Sequence, residues 1–220
     1  MRRLNLVIFD CDGVLVDSEL ISNRIFAAML RDLGLPVTLD FMFENFVGHT
    51  MQHCWERLAG LLGREVPHEF REELRARTTA ALKAEVKAVR GVEAVLDSLQ
   101  VPYCVASSGS VEKMSTTLGA TGLWSRFRDR VFSATEVARG KPAPDIFLHA
   151  AARCGAEPRD CAVIEDSAAG VAAGVAAGMT VYGYCALTPG QRLRNAGAHF
   201  TFDDMALLPA LLSGPYTEMR

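Results

Sequence analysis

Three aspartates, Asp10, Asp12 and Asp17, fall in the stretch LVIFDCDGVLVDSE, directly behind an apolar, β-branched run. Further along stand Ser107, Ser108 and Gly109 behind YCVA, Lys141 in RGKPAP, and Glu165 with Asp166 behind CAVI. Singly, each has a plain explanation: an aspartate after a strand forms a turn or caps a helix, and a lysine beside proline is a solvated loop charge. Gathered on one rim they are different, because converging carboxylates raise one another's pKa unless a cation offsets them. Oxygen-only donors point to Mg²⁺ rather than Zn²⁺. A magnesium ion held by few carboxylates keeps positions for phosphate oxygens, so the chemistry expected is phosphoryl transfer. Lys141 offers a fixed positive charge and Ser107 a hydroxyl donor for the transferring group. Gly13 and Gly109 allow tight turns whose N–H groups face the phosphate.

These residues need a scaffold that brings distant segments to one edge. Short β-branched runs at residues 4–9, 103–106, 130–133, 161–164 and 180–184 alternate with helix-length segments. That pattern predicts an α/β fold, a doubly wound parallel sheet with helices on both faces. Ligands bind beyond the carboxyl ends of such strands, where the candidate residues stand. The first two runs are too far apart for an ordinary crossover. Residues 18–89, rich in Leu, Ala, Arg and Glu at helical spacing, predict an inserted small helical domain, leaving 1–17 and 90–220 as the core. Pro67 opens one of its helices, Pro36 separates two others, and Arg90-Gly91 marks the return to the core. The segment EDSAAGVAAGVAAGM reads as a helix capped by Ser167, with Gly170, Gly174 and Gly178 letting it lie close to the sheet.

Composition narrows the partners. At 220 residues, with half of them hydrophobic and 22% charged, the chain can bury a substantial core. The net charge of −3 carries no basic excess, which argues against nucleic acid. No apolar run reaches the roughly 18 residues of a membrane span, and the start turns acidic too soon for a secretion signal. A cytoplasmic, monomeric protein with a small phosphorylated molecule as its partner is expected. The six cysteines form no CxxC pair and are expected as reduced thiols.

The segments DCDGVLVDSE, VASSGS, GKPAPDIF and VIEDSAAG, in this order, resemble the four motifs of the haloacid dehalogenase-like phosphohydrolases. The resemblance covers nearly the whole chain, a helical cap after the first motif included. It is nearest the branch holding β-phosphoglucomutase and small sugar-phosphate phosphatases such as 6-phosphogluconate phosphatase. It implies that Asp10 attacks phosphorus to form an aspartyl-phosphate. It implies that Asp12 protonates the leaving oxygen and then activates water. By the same resemblance Asp10, Asp166 and the Asp12 carbonyl hold Mg²⁺, Glu165 supports the metal's water shell or Lys141, and Ser107, Ser108, Gly109 and Lys141 bind the phosphate. Asp17 takes a hinge or helix-start role.

The cap would choose the substrate. By the resemblance, Gly48, His49 and Thr50 face the leaving group, with Arg24 and Lys83 as weaker candidates. His49 and His53 sit four apart, but no acid lies between them in an HExxH pattern and no third metal ligand is obvious. The mutases of the branch carry a histidine and an arginine where this chain has Ser22 and Met51, which favours hydrolysis over sugar-phosphate mutase activity. A dehalogenase has no use for Asp12 or for the Glu165–Asp166 pair. A non-enzymatic phospho-acceptor of the receiver type places its acidic pair before the phosphorylated aspartate, not after it.

Overall fold

A computed structural model describes residues 4–46 and 51–214. The chain divides into two compact units, Met1–Asp17 with Lys87–Arg220, and Ser18–Val86. The second crossing thus precedes the return expected at Arg90-Gly91. Asp17 N–H donates to the Lys87 carbonyl, Lys87 N–H donates to Asp17 Oδ1 at 2.7 Å, and Val16 bridges Ala88, which ties residues 87–89 to the segment that leaves the larger unit. Gly91, with φ 88°, instead starts the next helix.

The larger unit is built on six parallel strands: β1 (Leu6–Phe9), β2 (Tyr103–Ser107), β3 (Val131–Ser133), β4 (Cys161–Glu165), β5 (Thr180–Tyr184) and β6 (Phe200–Phe202). Their order across the sheet is β3-β2-β1-β4-β5-β6. The central strands are buried on both faces, which is why they read as continuous apolar runs rather than alternating ones. β6 escapes the sequence reading because only one of its three residues, Phe202, is buried and Thr201 interrupts its apolar pattern.

On one face Leu6, Ile8, Ala106, Val163 and Val181 meet Ile146, Phe147 and Ala150 of helix Asp145–Arg153 and Val171 and Ala173 of helix Ala168–Ala176. Helix Ala168–Ala176 is capped as expected, Ser167 Oγ accepting from Gly170 N at 3.0 Å. It lies so close to the sheet that a Cβ on Gly174 would come within 2.7 Å of Val181 Cγ2. On the other face Tyr103 sets its ring edge to face against both Phe9 and Phe127.

The smaller unit consists of α1 (Ser18–Asp32), α2 (Leu39–Asn45), α3 (Met51–Leu62) and α4 (His68–Glu85). Phe26 of α1 is its centre, packed against Phe46, Trp55 and Phe70. Leu30, Met42 and Leu58 are completely buried around it, each fully buried side chain contributing roughly 1.5–3 kcal/mol. Among the described residues no helix is long and apolar enough to cross a membrane.

Candidate active site

The chain runs β1 to β2 to β3 towards one edge and then returns to lay β4, β5 and β6 towards the other. The direction reverses between β1 and β4, and it is at such a reversal, beyond the carboxyl ends of the strands, that open α/β sheets bind ligands. Phe9 pairs with Ile164 in register, so Asp10 and Glu165 emerge side by side. Ser107 ends the neighbouring β2.

Lys141 joins them. Its Nζ lies 2.6 Å from Asp10 Oδ1 and 2.5 Å from Glu165 Oε1, and it donates to the Ala106 carbonyl at 3.2 Å. The face of Phe147 lies beneath it, with the ring centre 4.8 Å away. Lys141 is only 5% exposed, so the ammonium is held where water cannot screen it. Burial alone would lower its pKa, but Asp10 and Glu165 outweigh burial and hold it above its ordinary value. One positive charge is shared between two carboxylates, and it cannot fully offset both. Burial therefore pushes the Asp10 carboxyl up to about 7 against the pull of Lys141, with Glu165 and Asp12 adding to the rise.

Glu165 spends its other oxygen inside the protein, Oε2 accepting from the N–H and the hydroxyl of Ser167, each at 3.0 Å. A Cβ at Gly170 would overlap this carboxylate, so the helix needs glycine there. Both Glu165 oxygens are committed to protein donors, an arrangement suited to anchoring Lys141.

The loop after β1 folds back on itself, the Cys11 carbonyl accepting from Leu15 and Val16 and the Val16 carbonyl from Gly13. Asp12 projects from it, and its Oδ2 lies 2.8 Å from Lys113 Nζ. Lys113 belongs to α5 (Val111–Ala120). The sequence reading passed over it, since a lysine in a helix's first turn reads as a solvated charge. Its signal was position: Lys113 is the residue whose N–H is capped by Ser110, in the turn that faces the rim.

Ser107 is buried, and its Oγ accepts from Gly109 N at 3.0 Å, which leaves the hydroxyl proton for a different acceptor. Gly109 thus departs from expectation: its N–H is engaged by Ser107 rather than presented outward. The buried Ser133 on β3, unremarked in the sequence, holds the Gly109 carbonyl at 2.8 Å. Ser108 is exposed on the rim.

Asp166 lies against Gly13. With φ 78° Gly13 occupies a conformation natural to glycine, and a Cβ there would overlap the Asp166 carboxylate. The absent side chain lets Asp166 approach the loop that carries Asp10 and Asp12. Among the described residues no three His, Cys, Asp or Glu side chains form a metal-binding group. A set of two carboxylates and one main-chain carbonyl, all oxygen, nevertheless fits magnesium, which is usually held by one or two carboxylates and keeps several waters.

Gly48, His49 and Thr50 lie outside the described residues. In the smaller unit Arg24 pairs with Glu85 at 2.6 Å, both about half exposed, and Lys83 and His53 are exposed on their helices.

A match to the family described as haloacid dehalogenase-like hydrolase spans residues 4–178. A 6-phosphogluconate phosphatase of Escherichia coli is 32% identical over 191 residues, covering 84% of this chain and 85% of that protein. A crystal structure of a conserved haloacid dehalogenase-like protein of unknown function from Agrobacterium tumefaciens is 34% identical, with a TM-score of 0.87, over 96% of this chain and 98% of that one. A hydrolase of the same family from Deinococcus radiodurans, solved with bound phosphate and sodium, is 31% identical with a TM-score of 0.82, over 97% and 96% of the two chains.

Proposed function

The chain belongs to the haloacid dehalogenase-like hydrolases and is a phosphoric monoester hydrolase, and from that premise we propose that it cleaves a small phosphorylated sugar, sugar acid or polyol through a phosphorylated Asp10. The observation that carries this reading is the buried Lys141 ammonium, 2.6 Å from Asp10 and 2.5 Å from Glu165 at the strand reversal. The relative that acts on 6-phosphogluconate supports the substrate class, and the relative that holds phosphate supports an anion site.

In the first half-reaction an Asp10 oxygen forms a bond to phosphorus while the bond from phosphorus to the sugar oxygen breaks. Asp12 gives that oxygen its proton, so the alcohol leaves neutral. In the second, water attacks the same phosphorus, Asp12 takes its proton, and the bond to Asp10 breaks. Inorganic phosphate and the free carboxylate result. Lys141 and the Ser107 hydroxyl offset the charge on the transferring oxygens, and Ser108 and Gly109 frame them. Glu165 keeps Lys141 in place. A magnesium ion held by Asp10, Asp166 and the Asp12 carbonyl would supply a Lewis acid for the phosphoryl oxygens. The helical unit chooses which ester is cut.

The test is phosphate release from a panel of sugar phosphates, sugar-acid phosphates, polyol phosphates and nucleotides, with Mg²⁺ and with excess chelator. Turnover confined to the first three classes and lost in chelator is expected. Full activity in chelator contradicts the metal assignment, and preference for nucleotides contradicts the substrate class.

A further inference from the structure

The ion pair between Lys113 and Asp12 crosses from α5 to the catalytic loop, a separation of 101 residues in sequence. It has company. One turn along the same helix, Thr117 is completely buried and its Oγ1 lies 3.9 Å from the Sγ of Cys11, the residue between the two catalytic aspartates. Two successive turns of α5 thus touch two successive residues of the loop.

Around Gly109 the same elements close on one point. A Cβ built there would stand 3.4 Å from Lys113 Cδ, 3.4 Å from Ser107 Oγ and 3.6 Å from Asp12 Oδ2. The lysine stem, the phosphate-site hydroxyl and the Asp12 carboxylate therefore border a single small space. The side chain of Asp12 is 14% exposed and that of Lys113 is 37% exposed, so the lysine reaches the carboxylate from the rim.

Resting on the hydrolase reading above, we propose that Lys113 is a positioning residue. It fixes the rotamer of Asp12, so that the carboxyl group faces the leaving-group oxygen. A short carboxylate has few ways to satisfy its oxygens, and a charged partner at 2.8 Å selects one of them. Without it Asp12 samples other rotamers, and only a fraction of encounters find the proton in line. Lys113 acts through Asp12, not on phosphorus. The substrates that depend on it are those whose leaving group is an alcohol, such as a sugar or polyol, which departs only with a proton.

The experiment compares wild type, Lys113→Ala, Lys113→Arg, Asp12→Ala and the Asp12→Ala/Lys113→Ala double variant, with Mg²⁺ present. Two esters are used, a hexitol phosphate and p-nitrophenyl phosphate, and the first turnover is followed by rapid quench. p-Nitrophenolate leaves without a proton, so it reports the attack by Asp10 alone. General acid assistance is worth roughly 10²- to 10⁴-fold, so loss of its positioning should slow the alkyl ester by about tenfold or more, with KM little changed. The p-nitrophenol burst should slow by less than about threefold, as a group that only orients the acid requires. Lys113→Arg should recover most of the loss, and Lys113→Ala should add nothing in the Asp12→Ala background.

Equal slowing of both esters with a raised KM would show a direct phosphate contact and overturn the inference. So would additive losses in the double variant, and a large fall in Tm for Lys113→Ala would assign the pair a purely structural role. Should wild type cleave neither ester, the hydrolase reading itself fails. If wild type is active and the variants behave additively, only the role of Lys113 fails.

Discussion

Asp10 is a carboxylate placed where its charge is costly, and burial holds its pKa up at about 7. The unfolded chain releases this proton near the ordinary value of 3.8, so between there and about 7 the folded state binds the more protons. Stability from this group is full below that window and is lost as pH rises through it, with a slope of at most about 1.4 kcal/mol per pH unit. In chelator, denaturant unfolding of wild type and Asp10→Asn should diverge across this window, the variant lacking that decline. A difference that stays flat with pH would contradict the burial argument. Lys141→Ala should cost about 3–5 kcal/mol at neutral pH, because it removes the buried cation that Asp10 and Glu165 share. Unchanged stability on denaturant unfolding would mean that this shared charge does not hold the rim together. Asp10, Lys141 and Glu165 were legible because each sits in a short, locally distinctive segment. Lys113 and Ser133 were not, because a lysine in a first helical turn and a serine at a strand end look the same wherever they occur, and only tertiary contact sets these two apart.

At the scale of elements, the site depends on backbones that approach where a side chain would not fit. Gly13 and Gly178 have nearly the same φ, 78° and 74°, but only Gly13 has a carboxylate in the place of its missing Cβ; Gly178 has nothing within 4 Å. Both Gly→Ala variants should lose about 1–2 kcal/mol from the left-handed conformation alone. Only Gly13→Ala should also weaken Mg²⁺ binding, measured by calorimetry, because it displaces Asp166. Equal Mg²⁺ affinity in the two variants would remove Asp166 from the site. The parallel sheet was readable from its strands, since those buried on both faces leave long apolar runs. The sixth strand was not, since only Phe202 of its three residues is buried. The return to the larger unit was placed at a glycine signal, whereas the chain crosses at Lys87, where the backbone pairing of Asp17 and Val16 decides it. Sequence marks a helix start clearly but carries no signature for two distant segments that meet.

For the whole molecule, ligand binding and folding are linked. Mg²⁺ at about one hundred times its Kd should stabilise wild type by roughly 2.7 kcal/mol, seen as a raised Tm, and should stabilise Asp166→Ala by much less. Equal shifts would place the cation elsewhere. The four motifs span most of the chain and converge only through the fold, so the class of chemistry was legible in the sequence itself. What could not be read was the pairing among them, which the order of strands creates. The central claim is that Asp10 carries the phosphoryl group. It is tested most directly by acid-quenching the enzyme during turnover of a sugar phosphate with Mg²⁺, trapping the acyl phosphate and mapping it by mass spectrometry. The account predicts a label on Asp10 that vanishes in Asp10→Asn together with turnover. A label on another residue, or turnover that persists in Asp10→Asn, would contradict it.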